Sequence, residues 1–230
     1  MAERVDVCIV GSGFGGSISA FRLAELYHAA GVDSKRILVL VRQSMYIGHL
    51  ANVYNLIQSS GGPGTLLASG PQGCQVVTAN AVGGGSNLYL AASLRSPYET
   101  FERRDHNPDD GPDRRMWPDQ ISRKSLNPYY ARAERGLRVN RPSWNRVSKS
   151  GGLWAATLHA AGHTCDRVPV AIDPGRCVEA KWCHTGCIFG AKNTLNTNYL
   201  ASAELLGVRV RPNRQLPLRG DRRPHGQRGL

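Results

Sequence analysis

The chain opens with an apolar run, a glycine-rich turn and an apolar stripe at helical spacing. The run from Val5 to Val10 predicts a buried β-strand. After the glycines, apolar residues recur at the spacing of one helix face: Ile18, Ala20, Phe21, Leu23, Ala24 and Leu26. A second apolar run, Ile37 to Val41, predicts another strand. Together these segments predict a βαβ unit.

The turn between the first strand and the helix has the sequence Gly11-Ser12-Gly13-Phe14-Gly15-Gly16. In a strand–turn–helix context, this G-x-G-x-x-G pattern predicts dinucleotide binding. Gly11 allows the tight turn, Gly13 lets the backbone approach a pyrophosphate, and Gly16 lets the helix pack on the strand. The phosphates would lie at the helix N-terminus, where N–H groups and the helix dipole favour negative charge.

The end of the second strand departs from the usual dinucleotide pattern. An acidic residue that binds the ribose hydroxyls is expected there, but Val41 occupies the position. Arg42 is compatible with the 2′-phosphate of NADP and equally with a surface arginine beside a lost carboxylate. We therefore expect a dinucleotide site of weak affinity.

The first part of the remaining chain alternates loops with short elements. Residues 59–73 are rich in Gly, Ser and Pro, which predicts a loop. An apolar run then leads into three glycines at 83–85, for which we expect a buried turn. Residues 101–125 are polar and rich in Pro and Asp, and we expect irregular structure there with Trp117 as an anchor. Asn127-Pro128 predicts the start of a short helix, Tyr129 to Arg135.

Two further helices and a strand are predicted in the later part of the chain. One helix extends from Leu153 to Ala161 and ends at Gly162. The other would end at Gly207, and it would direct these apolar residues inward: Leu195, Tyr199, Leu200, Ala203 and Leu206. The alternation in residues 208–211 predicts a strand with one exposed face.

Composition and charge exclude several classes of protein. No apolar run approaches the roughly 18 residues that a membrane-spanning helix needs. Charged residues interrupt the N-terminus, so it does not have the pattern of a signal peptide. We therefore expect a cytoplasmic protein without a transmembrane segment, and peripheral membrane contact stays open. The net charge of +12 comes from scattered arginines and a basic stretch at 213–230, so no nucleic-acid partner is expected.

The cysteines are expected to be thiols. Cys8 lies within the first strand and is expected to be a small core residue. Three others form a C-x5-C-x3-C run: Cys177, Cys183 and Cys187. A tetrahedral metal site needs a fourth ligand, and His184 is directly adjacent to one of the cysteines. Ala180 stands where a ferredoxin run would carry cysteine. We expect no metal site and little zinc or iron in purified protein; a thiol-based metal or redox module is the minor alternative.

Several segments taken together are distinctive. They read VDVCIVGSGFGGSISAFRLAE, NAVGGGSNLYLAASLRSP, NPYYARAERGLRV, CVEAKWCHTGCIFGAKNTLNTNYL and GVRVRPN. In this order they resemble the glucose–methanol–choline (GMC) oxidoreductases, in particular the bacterial cholesterol-oxidase-like branch. The resemblance extends from about residue 5 to about residue 216 and is weaker at 43–73.

The resemblance implies an α/β fold. A Rossmann-like FAD-binding domain, here incomplete, would be interleaved with part of an α+β substrate domain. Residues 1–100 would bind FAD and residues 101–175 would form part of the substrate domain. Residues 176–216 would return to the FAD domain through the Cys-rich loop, a helix and a strand. Residues 217–230 would be a disordered or frame-shifted tail.

The resemblance also implies which residues would contact FAD. The first glycine turn would cradle the pyrophosphate with Gly11, Ser12, Gly13, Phe14 and Gly16. A second segment would lie beside the isoalloxazine ring: Gly83, Gly84, Gly85, Ser86 and Asn87. The strand that enters Leu216 would contact the adenine through its backbone.

The activity that the resemblance implies is FAD-dependent oxidation of the CH–OH group of alcohols, with sterols among the substrates. In that chemistry a base takes the alcohol proton while hydride passes to the flavin. The family's catalytic His and its partner lie in the C-terminal half, so we assign no catalytic residue here. We expect this chain to be inactive alone, as a C-terminally truncated N-terminal half. The alternative is a non-catalytic, truncated nucleotide-binding fragment.

Overall fold

The computed structural model describes residues 4–41, 64–69, 75–105 and 114–214. The chain divides into two units, one within residues 1–87 and 199–230 and the other within residues 88–198. Arg42, Cys74, Leu216 and the 217–230 tail lie outside the described residues. No helix within the described residues is long and apolar enough to cross a membrane.

Helices and short strands alternate along the described chain. In chain order they are β1 (Val7–Val10), α1 (Phe14–Ala29), β2 (Ile37–Leu40), β3 (Gly64–Ser69), β4 (Gln75–Asn80), α2 (Glu99–Glu102), β5 (Arg104–Asp105), β6 (Arg114–Arg115), α3 (Arg123–Gly136), α4 (Lys149–Ala160), α5 (Tyr199–Leu205) and β7 (Arg209–Arg211). Short 3-10 turns include Gly84–Asn87 and Cys183–Thr185.

The first unit contains a small parallel sheet, and the predicted βαβ unit is confirmed within it. β1 pairs with β2, and β2 pairs with β7, in the order β1-β2-β7. The hydrophobic core between this sheet, α1 and α5 consists of Ala20, Ala24, Ile37, Val39, Val41, Val82, Leu200, Ala203 and Val208. The alanines on α1 and α5 are small, which lets the two helices approach closely. The predicted strand at 208–211 is confirmed as β7.

The prediction that β1 is buried, with Cys8 in the core, is wrong. Residues along β1 alternate between half-buried and exposed. Val7 and Ile9 pack against the core, whereas Cys8 is exposed and Val10 is 67% exposed. Among the described residues β1 lies at the edge of its sheet. One face of β1 therefore contacts the core, and no described element covers the other.

A predicted loop contains a strand. Within residues 59–73, β3 pairs antiparallel with β4, from Gly64 opposite Asn80 to Ser69 opposite Gln75. Backbone pairing with the following apolar strand outweighs the local preference of Gly, Ser and Pro for loops.

Two helices of the second unit begin earlier than predicted because serine caps lie upstream. Ser122 caps α3 by accepting the N–H of Ser125 at 3.1 Å, and the Ser125 hydroxyl accepts the N–H of Ser122 at 2.9 Å. Pro128 consequently lies inside α3 and does not begin it. Ser148 caps α4 through the N–H of Gly151 at 3.2 Å. The end of α4 before Gly162 (φ +81°) is as predicted.

The last helix begins later than its apolar pattern predicts. Leu195 is fully buried, but it precedes α5 in a turn in which the Thr197 N–H donates to the Thr194 carbonyl at 3.2 Å. The helix begins at Tyr199, and Gly207 (φ +102°) follows it as predicted. Helical spacing alone does not distinguish a helix from a buried turn that leads into one.

A matched pair of leucines on α5 tests this core. Leu200→Ala should lower the free energy of unfolding by about 2–5 kcal/mol, because it leaves a cavity among fully buried side chains. Leu205 is 89% exposed, and Leu205→Ala should change the free energy of unfolding by less than about 0.5 kcal/mol. Urea unfolding followed by circular dichroism measures both. Equal losses in the two variants would contradict the packing described.

Candidate functional site

Two positions of the turn from β1 into α1 require glycine, Gly11 because of its backbone conformation and Gly16 because a side chain has no room. Gly11 has φ +91° and donates its N–H to the Leu40 carbonyl at 2.8 Å, which ties the turn to β2. A Cβ at Gly16 would overlap the carbonyl oxygen of Gly11 and would lie 3.0 Å from its carbon. Gly11 thus makes the tight turn, and Gly16 allows the close packing of helix on strand, as the motif predicts.

The second glycine segment folds as the predicted turn, which is buried at Gly83, Ser86 and Asn87 and exposed at Gly85. Ser86 is fully buried and donates its hydroxyl to the Gly83 carbonyl at 2.7 Å. The side-chain amide of Asn87 donates to the carbonyls of Val82 and Gly84 at 2.9 and 3.1 Å. Ser86 and Asn87 therefore shape the turn with their side chains.

The structure brings the two glycine turns into direct contact. The Gly83 N–H donates to the hydroxyl oxygen of Ser12 at 3.0 Å. Gly84 has φ +55°, and a Cβ there would lie 2.9 Å from the Cα of Gly13. The Ser12 carbonyl accepts the hydroxyl of Ser17 at 2.7 Å. Ser12 is 3% exposed, so its side chain connects the turns and does not project outward.

The surface of the paired turns beside the N-terminus of α1 is open. A Cβ built on Gly11, Gly13, Gly15 or Gly85 would have no described atom within 4 Å. Gly13 is the N-cap of α1, and the first helical turn that follows it contains no carboxylate. The N–H groups of a first helical turn have no acceptor within the helix. This arrangement suits a phosphate, because backbone can approach it closely and the helix dipole is positive there.

The positions predicted to bind the adenosine half are described in part. Val41 is 5% exposed, belongs to the core and donates its N–H to the Arg211 carbonyl at 3.0 Å. Its side chain cannot accept a hydrogen bond from a ribose hydroxyl. Phe14, which the resemblance assigns to the pyrophosphate and not to the adenosine half, is exposed at the start of α1. Leu216 and Arg42 lie outside the described residues, so their predicted contacts stay predictions.

Sequence reasoning missed a buried polar cluster in the second unit. Lys192 is only 4% exposed. Its ammonium donates to the carbonyl of Cys183 at 2.6 Å and to that of Tyr89 at 3.2 Å, and it lies 5.5 Å from the centre of the Tyr89 ring. The hydroxyl of Tyr89 donates to the Asn193 carbonyl at 2.6 Å. The sequence signal was weak, because a lysine among polar residues is usually exposed.

Burial shifts the acid–base behaviour of this cluster. It lowers the pKa of Lys192 to about 8, an effect partly offset by the nearby sulfurs of Cys183 and Cys187. Burial also raises the pKa of Tyr89 to about 12. The pKa of the Cys183 thiol is raised, chiefly by burial, with the Lys192 charge opposing that shift. The cluster therefore disfavours charge on each of these groups.

The Cys-rich run forms part of the same cluster. Cys177, Cys183 and Cys187 are half-buried, and none of them is in a disulfide. The His184 ring stacks on Trp182 at a centroid distance of 6.2 Å. Among the described residues, no group of three or more His, Cys, Asp or Glu side chains is arranged to hold a metal ion.

Comparison with known proteins gives distant relatives of one kind. The cholesterol oxidase of Acinetobacter baumannii is 30% identical over 239 residues, which cover 89% of this chain and 39% of that protein. The cholesterol oxidase of Mycobacterium tuberculosis strain H37Rv is 30% identical over 250 residues, with 92% and 39% covered. No family model matches the chain. The chain thus spans about two fifths of the length of these relatives. The predicted resemblance is confirmed as distant homology to cholesterol oxidases over most of the chain.

Lys192→Met should change how stability depends on pH. With its pKa at about 8 when folded and 10.5 ordinarily, Lys192 binds more protons in the unfolded state between these values. Its contribution to the free energy of unfolding therefore rises with pH through this window and is least favourable below it. Relative to Lys192→Met, the wild-type protein should gain about 2 kcal/mol from pH 7 to 9.5.

The measurement is chemical unfolding of both proteins at several pH values. Both proteins are compared in a Cys183→Ser background, because the Lys192 charge acts on the pKa of that thiol and its contribution would otherwise differ between them. The matched control is Lys181→Met, at an exposed lysine 3.5 Å from Glu179, which should keep the wild-type pH profile. A parallel profile for Lys192→Met would show that Lys192 is not buried as described.

Proposed function

We propose that the first unit is the FAD-binding part of an alcohol oxidoreductase with a Rossmann-type fold. The observation that carries the proposal is the contact between the two glycine turns at the N-terminus of α1, through Ser12 and Gly83. A parallel β1-α1-β2 unit with a glycine turn is the arrangement in which dinucleotides bind. The distant homology to cholesterol oxidases supports the same class.

The described residues fit a pyrophosphate. Gly11, Gly13 and Gly15 border open space, and no acidic side chain in the first turn of α1 would repel an anion. We assign the pyrophosphate to residues 11–16 and the flavin side to residues 83–87. The substrate region would lie within residues 101–175. Of residues 176–216, which were predicted to return to the FAD domain, those up to 198 belong to the second unit and those from 199 to the first.

Bound FAD would supply hydride acceptance from the carbinol carbon of an alcohol. The substrate class follows from the relatives, which are cholesterol oxidases, so a sterol or a simpler alcohol is proposed. Affinity for FAD should be weak, because buried Val41 offers no acceptor to the ribose.

A second candidate is a nucleotide-binding chain without catalysis, and the exposed side of β1 favours it. Val10 is exposed on a strand that is the edge of its sheet among the described residues. The histidines of the described chain, His28, His159, His163 and His184, are exposed, whereas a general base must be held against its substrate. We propose that this chain alone binds FAD without oxidising alcohols.

Binding is tested by flavin fluorescence titration of wild type and Gly13→Ala. Gly13 has φ −70°, and a Cβ there meets no described atom within 4 Å, so the variant should fold normally. The methyl group would occupy the space of the pyrophosphate and should weaken FAD binding at least about ten-fold, or 1.4 kcal/mol. Gly152→Ala, at another open glycine, is the control.

Riboflavin, which lacks phosphates, should bind equally to wild type and Gly13→Ala. The proposal fails if Gly13→Ala binds FAD as wild type does, or if NADP binds tightly while flavin gives no response.

Turnover is assayed with FAD-reconstituted protein, cholesterol and simpler alcohols, by peroxide release and flavin bleaching. We expect neither signal, because no described histidine is held as a base and no described element covers one side of β1. The Acinetobacter baumannii relative, assayed in parallel, is the positive control. Sustained peroxide release that disappears in Gly13→Ala would eliminate the non-catalytic candidate.

A further inference from the structure

The Cys-rich segment folds back onto Lys192 through two hydrogen bonds. The Lys192 ammonium donates to the Cys183 carbonyl at 2.6 Å. The N–H of the preceding residue, Ala191, donates to the Cys187 sulfur at 3.3 Å. Cys183 and Cys187 are therefore held by the same dipeptide, Ala191-Lys192, although four positions separate them in the chain.

The two sulfurs also share the electrostatic environment of this lysine. Each lies close enough for its charge to act on the Lys192 ammonium, and the charge of Cys187 also acts on the Cys183 thiol. Both thiols are half-buried, which leaves them partly accessible to a small reagent. Burial raises the pKa of the Cys183 thiol, and the Lys192 charge opposes that shift. The cation thus favours the thiolate, which is the nucleophile in thiol chemistry, against the effect of burial.

Cys177 is held differently from these two. Its N–H donates to the Asp173 carbonyl at 3.1 Å, and its carbonyl accepts the guanidinium of Arg146 at 3.1 Å. Its charge acts on Cys183, but its hydrogen bonds fix it to another part of the loop. Of the three cysteines, only Cys183 and Cys187 accept hydrogen bonds from the Ala191-Lys192 dipeptide among the described contacts.

We propose that Cys183 and Cys187 form a reversible dithiol–disulfide pair positioned by Lys192. This site consists of residues of the second unit, and the proposal does not depend on flavin binding. Metal binding is the competing use of clustered thiols, and the described residues provide no set of three ligands for it. Thiol–disulfide exchange needs only two sulfurs and an incoming disulfide.

The reaction balances with a low-molecular-weight disulfide as oxidant. The Cys187 thiolate attacks one sulfur of that disulfide, forms a mixed disulfide and releases one small thiol. The Cys183 thiolate then attacks the Cys187 sulfur and releases the second small thiol. Two protein thiols lose two electrons and two protons, and one disulfide becomes two thiols.

Peptide mapping of the full chain tests the pairing. Protein treated with glutathione disulfide, or with dithiothreitol, is alkylated and digested with trypsin. Cleavage after Lys181 and Lys192 leaves both cysteines in one peptide, Trp182–Lys192, while Cys177 lies in Cys177–Lys181. After glutathione disulfide, the expected Trp182–Lys192 peptide carries no alkyl group and has the mass of its dithiol form less two hydrogens. After dithiothreitol, the same peptide should be alkylated on both cysteines.

Other mapping results would overturn the proposal. These are a Trp182–Lys192 peptide that stays fully alkylated, one that carries glutathione on both sulfurs, and one linked to Cys177–Lys181. Cys183→Ser should retain glutathione on Cys187. Cys177→Ser is the matched control within the loop and should form the same internal disulfide as wild type.

The role of Lys192 is tested by the rate of disulfide formation. Lys192→Met should form it at least about three-fold more slowly than wild type, because the thiolate loses its neighbouring cation. Lys181→Met, which removes an exposed lysine of the same loop, should keep the wild-type rate. Circular dichroism shows whether each variant is folded. Equal rates in folded Lys192→Met and wild type would refute a role for Lys192.

Discussion

The hydrogen bond from the Gly83 N–H to the Ser12 hydroxyl joins two segments that are 71 positions apart in the chain. It fixes one glycine turn against the other, and the close approach of Gly84 to Gly13 leaves no room for a side chain at Gly84. Because Ser12 is buried and Ser17 bonds to its carbonyl, this contact also fixes the start of α1. The candidate FAD site depends on that contact, because each turn alone is only a loop.

The sequence was sufficient for the features that depend on short-range pattern. The βαβ unit follows from apolar runs and one glycine motif, and the turn at residues 84–87 follows from its glycines and apolar neighbours. That the two turns touch could not be predicted, since it depends on how distant segments pack. The exposed face of β1 was missed for a related reason. An apolar run predicts burial on both faces, but burial depends on which elements cover the strand.

Local signals also misled where tertiary contacts or caps override them. Residues 64–69 read as loop by composition but pair with β4 as a strand. Asn127-Pro128 has the sequence of a helix start, yet the capping box at Ser122 begins α3 earlier. At Lys192 the local sequence gave no signal at all, because nothing in its immediate neighbourhood in the chain indicates a buried cation. Its burial results from carbonyl groups supplied by Cys183 and Tyr89.

The two candidate sites, each within its own unit, obtain positive electrostatic potential from different sources. At the glycine turns, positive potential comes from backbone dipoles at the start of α1 and needs no charged side chain. At the Cys-rich loop, the positive charge is one buried ammonium beside two thiols. The first arrangement suits a diphosphate approached by backbone, and the second suits sulfur chemistry.

The central claim is that the two glycine turns form one FAD-binding surface. Amide hydrogen exchange, followed by mass spectrometry with increasing FAD, tests it most directly. Segments 11–17 and 83–87 should gain protection together, with the same dependence on FAD concentration, because the Ser12–Gly83 bond makes them a single surface. Protection of only one of these segments, or of neither at a concentration where FAD binds, would contradict the account.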